Sequence, residues 1–295
     1  MIIFNSVEKL KNHLDNLRNN HKTIGFAPTM GALHQGHISL ISIAKEQCDL
    51  VVCSIFVNPT QFDDSVDLKK YPRTLEADLE LLKVANCDIL FAPEIPEIYS
   101  EKELNDKKNH IEDKTWTCGK TIDFGLLDKV MEGAHRPGHF NGVAQVVSKL
   151  FRIVNPNKAF FGQKDYQQLS IIKSMVKQLE MPIEIITCPI IREADGLAMS
   201  SRNRRLTEEE RKEVPSISKL LFFIKEIYQT HPINQLKEVV ANYYAKESMI
   251  HVEYFEIVDS ETLLSITDFK NSKSAVACIA VKLNSVRLID NVILY

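Results

Sequence analysis

The chain has no apolar run approaching the roughly 18 residues that a helix needs to cross a bilayer. Its opening, MIIFNSVEKLKNHL, lacks a basic stretch followed by an uninterrupted apolar one, so the expected location is the cytoplasm, with no membrane as partner. Excess positive charge is missing too: 36 Lys and Arg against 39 Asp and Glu leave a net charge of −3. That balance argues against nucleic acid as a partner and requires any anion site to be built locally. The six cysteines, Cys48, Cys53, Cys87, Cys118, Cys188 and Cys278, form no CxxC pair and no Cys/His spacing suited to zinc. Reduced, mostly buried thiols are expected. Average hydrophobic and charged content without a low-complexity tract argues against disorder, and no internal repeat is visible.

What is present is alternation. At 295 residues the chain has room for two domains. Thr23 to Ala27 read as a strand stopped by Pro28, and a helical pattern with Ile38, Ile41 and Ala44 on one face runs from His37 to Glu46. Strands at 50–57 and 88–92 flank a helix after Thr74 that aligns Leu75, Leu79 and Leu82. Val143, Val146, Val147, Leu150, Phe151 and Val154 mark a well-buried helix, followed by a strand at 159–161, a helix from Asp165 and a strand at 183–191. This order predicts an α/β fold with a Rossmann-like parallel sheet over residues 1–190. After a turn at 193–196, Thr207 and Glu210 form a capping box ahead of a stripe of Ile217, Leu220, Leu221, Ile224 and Ile227. A helix near 233–247 and strands at 252–258, 275–281 and 287–293 complete a smaller α+β domain over 191–295.

Residues 28–37 read PTMGALHQGH and lie between the first strong strand and a helix, where ligands bind in α/β sheets. Gly31 and Gly36 let the backbone approach a ligand, and the helix N-terminus offers unpaired N–H groups to a phosphate. His34 and His37 can aim two imidazoles, neutral or protonated, at the same anion. Two plainer readings compete. Zinc would need a third ligand, and none sits at a recognisable spacing; alternatively these are ordinary surface histidines at a turn. The HxGH tetrad resembles the signature of the nucleotidylyltransferase superfamily, whose members act at the α-phosphate of ATP.

Further segments follow in order: FVNPTQF at 56–62, YPRT at 71–74, EGAHRPGHF at 132–140, FGQKDYQQL at 161–169, DGLAMSSRN at 195–203 and RLIDN at 287–291. Together with the tetrad loop they resemble the pantothenate synthetase family. The resemblance implies an ATP-consuming ligase that activates pantoate as an acyl-adenylate and joins it to β-alanine, using Mg²⁺ and assembling as a homodimer. It implies ATP contacts for Met30, Gly31, Ala32, Leu33, His34, Gln35, Gly36, His37, Gly162, Gln163, Lys164, Asp165, Ile191, Met199, Ser200, Ser201 and Arg202. His34, His37 and Lys164 are the expected catalytic residues, and Gln61, Gln168 and Asn58 the expected contacts for pantoate and β-alanine.

Several of these residues have a second reading. Gln168 stands three residues after Asp165 at a helix start, the spacing of a capping arrangement, and Asp165 can cap the helix, bind nucleotide or do both. Lys164 taken alone reads as a solvated lysine, and Ile191, ending a strand, as core. Asp78 either helps position Mg²⁺ or is an exposed helix residue. Arg136 and His139 flank a Pro137-Gly138 turn and are expected to organise a loop; Arg204 and Arg205 are expected to be surface charges. The small domain is expected to close over ATP through its Ser-Ser-Arg segment. Two rival functions remain: nucleotidyl transfer to a mononucleotide, and a non-enzymatic nucleotide-binding relative.

Overall fold

The computed structural model describes residues 1–62, 68–69, 71–105, 117, 120–245 and 249–295. Cys118 and the end of the helix expected near 247 lie outside the described residues. In chain order the first part comprises β1 (Ile2–Phe4), α1 (Val7–Asn19), β2 (Ile24–Thr29), α2 (Gln35–Gln47), β3 (Leu50–Ile55), α3 (Leu75–Val84) and β4 (Ile89–Phe91). The short α4 (Ile95–Ile98), α5 (Glu101–Asn105) and α6 (Met131–His135) come next, then α7 (His139–Val154), β5 (Lys158–Gly162), α8 (Tyr166–Gln178) and β6 (Glu184–Cys188).

The six strands form one parallel sheet in the order β1-β4-β3-β2-β5-β6, as the α/β reading expects. Successive strand residues point to opposite faces. Phe26 and Val52 pack with Leu10, Leu14, Val143 and Phe151 on one side, whereas Ala27, Val51 and Cys53 pack with Leu40, Ile41 and Leu82 on the other. Both faces are covered, which is why these strands read as apolar runs rather than alternations.

The chain moves outward from β2 through β3 and β4, then returns to add β5 and β6 on the opposite side. Between β2 and β5 the winding therefore reverses, the place where such sheets form a ligand crevice. Here the expectation needed correction, because β2 does not stop at Pro28 but runs on to Thr29 beside β3. β5 pairs with β2 only at Gly25 and Phe26, so the proline, which has no N–H to donate, lies beyond the last β5 partner. From that point β2 and β5 part. β6 likewise ends at Cys188, short of the expected Ile191, leaving 189–191 outside the sheet. β1 and α1 were not foreseen: Ile2 and Ile3, in a three-residue edge strand, are about half exposed and give no alternating signal.

The second part contains α9 (Glu208–Glu213), α10 (Pro215–Ile227) and α11 (Ile233–Tyr244), then an antiparallel sheet of β7 (His251–Asp259), β8 (Ala275–Leu283) and β9 (Val286–Ile293). Ala275, Ala277, Ile279 and Val281 face a core shared with Leu220, Leu221 and Leu236 of the helices. The intervening Val276 and Cys278 face the other way and meet Met131 of the first part. Thr207 and Glu210 form the expected capping box at the start of α9. The five described cysteines are free and buried. Among the described residues, no helix is long and apolar enough to cross a membrane.

Candidate active site

The crevice between β2 and β5 holds a cavity of about 210 Å³ lined by Met30, His34, Gly36 and His37 from the tetrad loop, Asn58 and Gln61, Gly162, Lys164, Asp165 and Gln168, and Ile191, Met199, Ser200, Ser201 and Arg202. A second cavity of about 400 Å³ lies between the two parts and shares Lys164, Asp165, Gln168, Ser200 and Arg202 with the first.

The tetrad loop is tightly tied. Asp78 on α3 is 2% exposed, and its two carboxylate oxygens accept from the N–H groups of Ala32 (2.9 Å) and Leu33 (2.8 Å). The exposed-residue reading of Asp78 is thus wrong. Gly31 has φ +81°, and a Cβ there would stand 3.0 Å from Ile55 and 3.1 Å from the Asp78 carboxylate. His34 caps α2, its Nδ1 accepting from Gly36 N–H (3.1 Å), while His37 Nδ1 accepts from His34 N–H (3.3 Å). Gly36 has no room for a side chain, since a Cβ would lie 2.9 Å from the His34 ring.

These contacts revise the expectation of a helix end with free N–H groups. The N–H groups of Gly36 and His34 are taken by the imidazoles, and those of Ala32 and Leu33 by Asp78. An imidazole whose Nδ1 accepts must, when neutral, carry its proton on Nε2, which leaves Nε2–H of each histidine as the free donor. Both are neutral: burial, with the Lys164 ammonium and the Arg204 guanidinium, lowers the His34 pKa to about 4. Burial, then His34 and Lys164, holds His37 well below its usual value. Arg204 is exposed, as expected of a surface charge, and also donates to the Leu33 carbonyl (3.3 Å); Arg205 is half-buried and donates to that of Ser285 (3.2 Å).

Gln61 lies in a 3-10 turn, Pro59–Gln61, and is 8% exposed. Its Oε1 accepts from Asn58 Nδ2 (3.2 Å) and its Nε2 points at Met30 Sδ (2.9 Å). His139 Nδ1 donates to the Gln61 carbonyl (2.8 Å) and its Nε2 accepts from Arg136 (3.0 Å). Arg136 and His139 therefore hold the Gln61 turn, the organising role expected of them. Gly142 carried no signal in the sequence, yet a Cβ there would stand 2.5 Å from the Thr60 carbonyl oxygen. Its lack of a side chain lets α7 touch the Gln61 turn backbone to backbone.

At the mouth of β5, Gly162 faces open space and the Lys164 side chain is 18% exposed, with Asp165 as its 3.6 Å partner. Asp165 occupies the N-cap of α8 but makes no capping hydrogen bond, so the capping reading of Asp165 and Gln168 fails. Gln168 lines both cavities. Gln163 turns away from them: its amide bonds Asn291 (3.1 Å), which also donates to the carbonyls of Gln163 and Lys164 and so pins this loop from β9. Ala32 and Leu33 are fully buried and Gln35 is exposed, so none of these three lines the crevice. Ile191 lies outside the sheet rather than in the core, and its carbonyl accepts from Met199 N–H (3.0 Å). Ser200 caps the 3-10 turn Ser201–Arg205 by accepting from Arg202 N–H (3.3 Å).

A family model described as pantoate-beta-alanine ligase matches residues 2–293. The chain belongs to this ligase family. It is 49% identical over 292 residues to the pantothenate synthetase of Porphyromonas gingivalis, covering 99% of both chains, and 48% identical over 293 residues to that of Phocaeicola vulgatus, again covering 99% of both. Among solved structures it is similar to the pantothenate synthetase of Thermus thermophilus, with a TM-score of 0.88 and 38% identity over 100% of both chains. It is also similar to a pantoate-beta-alanine ligase from Francisella tularensis complexed with beta-gamma ATP and beta-alanine, with a TM-score of 0.75 and 33% identity over 100% of this chain and 98% of that one. Membership in a family that forms a C–N bond sets aside both the mononucleotide transferase and the non-enzymatic readings.

Proposed function

We propose that the crevice condenses pantoate with β-alanine in two steps. The pantoate carboxylate attacks the α-phosphorus of ATP and expels pyrophosphate; the amine of β-alanine then attacks the acyl carbon, loses a proton and expels AMP. The observation that carries this reading is the pair of neutral imidazoles whose free Nε2–H donors share one cavity with Lys164 and Arg202. Preorganised donors of this kind stabilise charge as it moves onto the leaving phosphates without reorganising at the moment of reaction. Gly162, Met199, Ser200 and Ser201 would face the nucleotide, with Ile191 beside its base. Gln61 and Gln168 contact pantoate, while Asn58, whose amide is fully engaged with protein groups, orients Gln61. β-Alanine enters through the larger cavity, whose lining includes the guanidinium groups of Arg136, Arg202 and Arg205.

The residues present do not fit a protein-built Mg²⁺ site. Among the described residues no three of His, Cys, Asp or Glu converge, and both Asp78 oxygens are occupied by backbone N–H groups. Asp78 acts on the loop instead. We further propose a division near residue 190 into a nucleotide- and pantoate-binding domain and a smaller lid, a homodimeric assembly, and a cytoplasmic setting. Sedimentation tests the assembly. Pyrophosphate release from ATP, with pantoate present or omitted, tests the reaction: release that ignores pantoate would overturn it.

A further inference from the structure

Behind the Gln61 turn sits Tyr99, 2% exposed, just past α4. Its ring packs 6.2 Å from that of Phe56, and Lys149 lies 5.0 Å above its centroid while donating to the neighbouring Ile98 carbonyl (3.1 Å). Its hydroxyl donates to Asn58 Oδ1 (2.9 Å), which also lies 3.3 Å from Thr60 N–H and 3.1 Å from Thr60 Oγ1. The Thr60 N–H can only donate, so the atom it meets is the amide oxygen, and the Tyr99 and Thr60 hydroxyls donate to that same oxygen. The Asn58 NH₂ must then face the other way, where it donates to Gln61 Oε1 (3.2 Å) and to the Gly142 carbonyl (3.1 Å). An NH₂ group cannot accept, so Gln61 has to turn its oxygen toward Asn58 and its own NH₂ toward Met30 and the cavity.

We propose that Tyr99 is a positioning residue for the pantoate subsite: through Asn58 it fixes the Gln61 amide with its NH₂ facing the substrate, so that this position selects an oxygen acceptor. A flipped Gln61 would set two NH₂ groups against each other in a buried place. A hydroxyl or carboxylate oxygen is accepted there, and an ammonium group is rejected. Pantoate's oxygens can be held at this point, whereas the ammonium end of β-alanine cannot be placed there. Burial holds the Tyr99 phenol well above its usual pKa, so the relay keeps its polarity across the working pH range.

The inference rests on the reading of Gln61 as a substrate contact, and a double-mutant cycle separates the two. Gln61→Ala tests the reading: the KM for pantoate should rise, and an unchanged KM would sink the substrate contact itself. Tyr99→Phe keeps the ring packing and deletes one donor. It should raise the KM for pantoate roughly 2- to 12-fold, the span of one lost hydrogen bond, with the KM for ATP unchanged. In the Gln61→Ala background the same change should have no further effect on the pantoate KM. A Tyr99→Phe enzyme with wild-type KM for pantoate, equal rises for both substrates, or an undiminished effect without Gln61 would each overturn the relay. Thr60→Val, which removes a hydroxyl beside the same oxygen, repeats the test if Tyr99→Phe lowers the thermal midpoint too far for assay.

Discussion

At the scale of single residues, the histidines divide by tautomer. His34 and His37 accept at Nδ1 from backbone N–H groups and keep Nε2–H free, whereas His139 donates from Nδ1 to a carbonyl and accepts at Nε2 from Arg136. The first arrangement leaves an N–H in the cavity to donate, and the second makes a strut. His37→Ala should therefore slow pantoate-dependent pyrophosphate release about 100- to 1,000-fold, the range for one preorganised donor, and a rate within a few-fold of wild type would remove His37 from the mechanism. All three imidazoles are neutral when folded, with His34 and His139 lowered to about 4, mainly by burial. Unfolding restores an ordinary pKa of about 6.5, so between these values the unfolded chain binds more protons and stability rises with pH. Their contribution is complete above about pH 6.5 and is lost as pH falls toward about 4. The thermal midpoint should drop on acidification from about pH 7 to about pH 5, and less steeply in His139→Gln.

At the scale of elements, the apolar periodicities located α2, α3, α7 and the sheet strands after β1 because each buries a stripe or a face, and burial is what periodicity records, although Leu75 of the expected α3 stripe is exposed. The tetrad loop was legible as a strand-to-helix connection at the mouth of the crevice, since a strand, two glycines and a helix start follow in succession. That its N–H groups are taken by Asp78 and by the histidines themselves was not legible, because such contacts join residues far apart in the chain or depend on a side-chain rotamer. Gly142 is the sharpest case. A helix-interior glycine replaced by alanine ordinarily gains roughly 0.5–1 kcal/mol. Here the new Cβ would sit 2.5 Å from the Thr60 carbonyl oxygen, so Gly142→Ala should instead destabilise by about 1–3 kcal/mol and raise the KM for pantoate by displacing Gln61. Urea unfolding together with steady-state kinetics checks both effects, and a stabilised enzyme with normal KM would mean that the turn yields freely.

At the scale of the whole molecule, the second sheet lines the larger cavity, which shares residues with the crevice, and what joins the two parts is a cluster that sequence patterning had no means of showing. Glu132, in the segment before α7, takes both terminal nitrogens of Arg287 at 2.7 Å and the Tyr254 hydroxyl at 2.9 Å. Arg287 also donates to Glu253 (2.6 Å), and Asn291, further along the same strand β9, holds the Lys164 loop. Motifs 155 positions apart in sequence, EGAHRPGHF and RLIDN, are thus two halves of one joint. Removing one partner of such a pair strands the other charge in a mostly buried place, which costs about 3 kcal/mol or more. Arg287→Met should accordingly lower stability by about that amount. If the joint is what sets the lid against the crevice, the variant should also exchange backbone hydrogens faster around 163–165 and 199–205, while β2 and β3 keep their protection. In the wild-type protein ATP should slow exchange over 199–205, and in the variant this protection should need a higher ATP concentration. Uniform acceleration through β2 and β3 would mean that Arg287 supports the global fold; unchanged exchange at 199–205 would mean that the lid is held by other contacts.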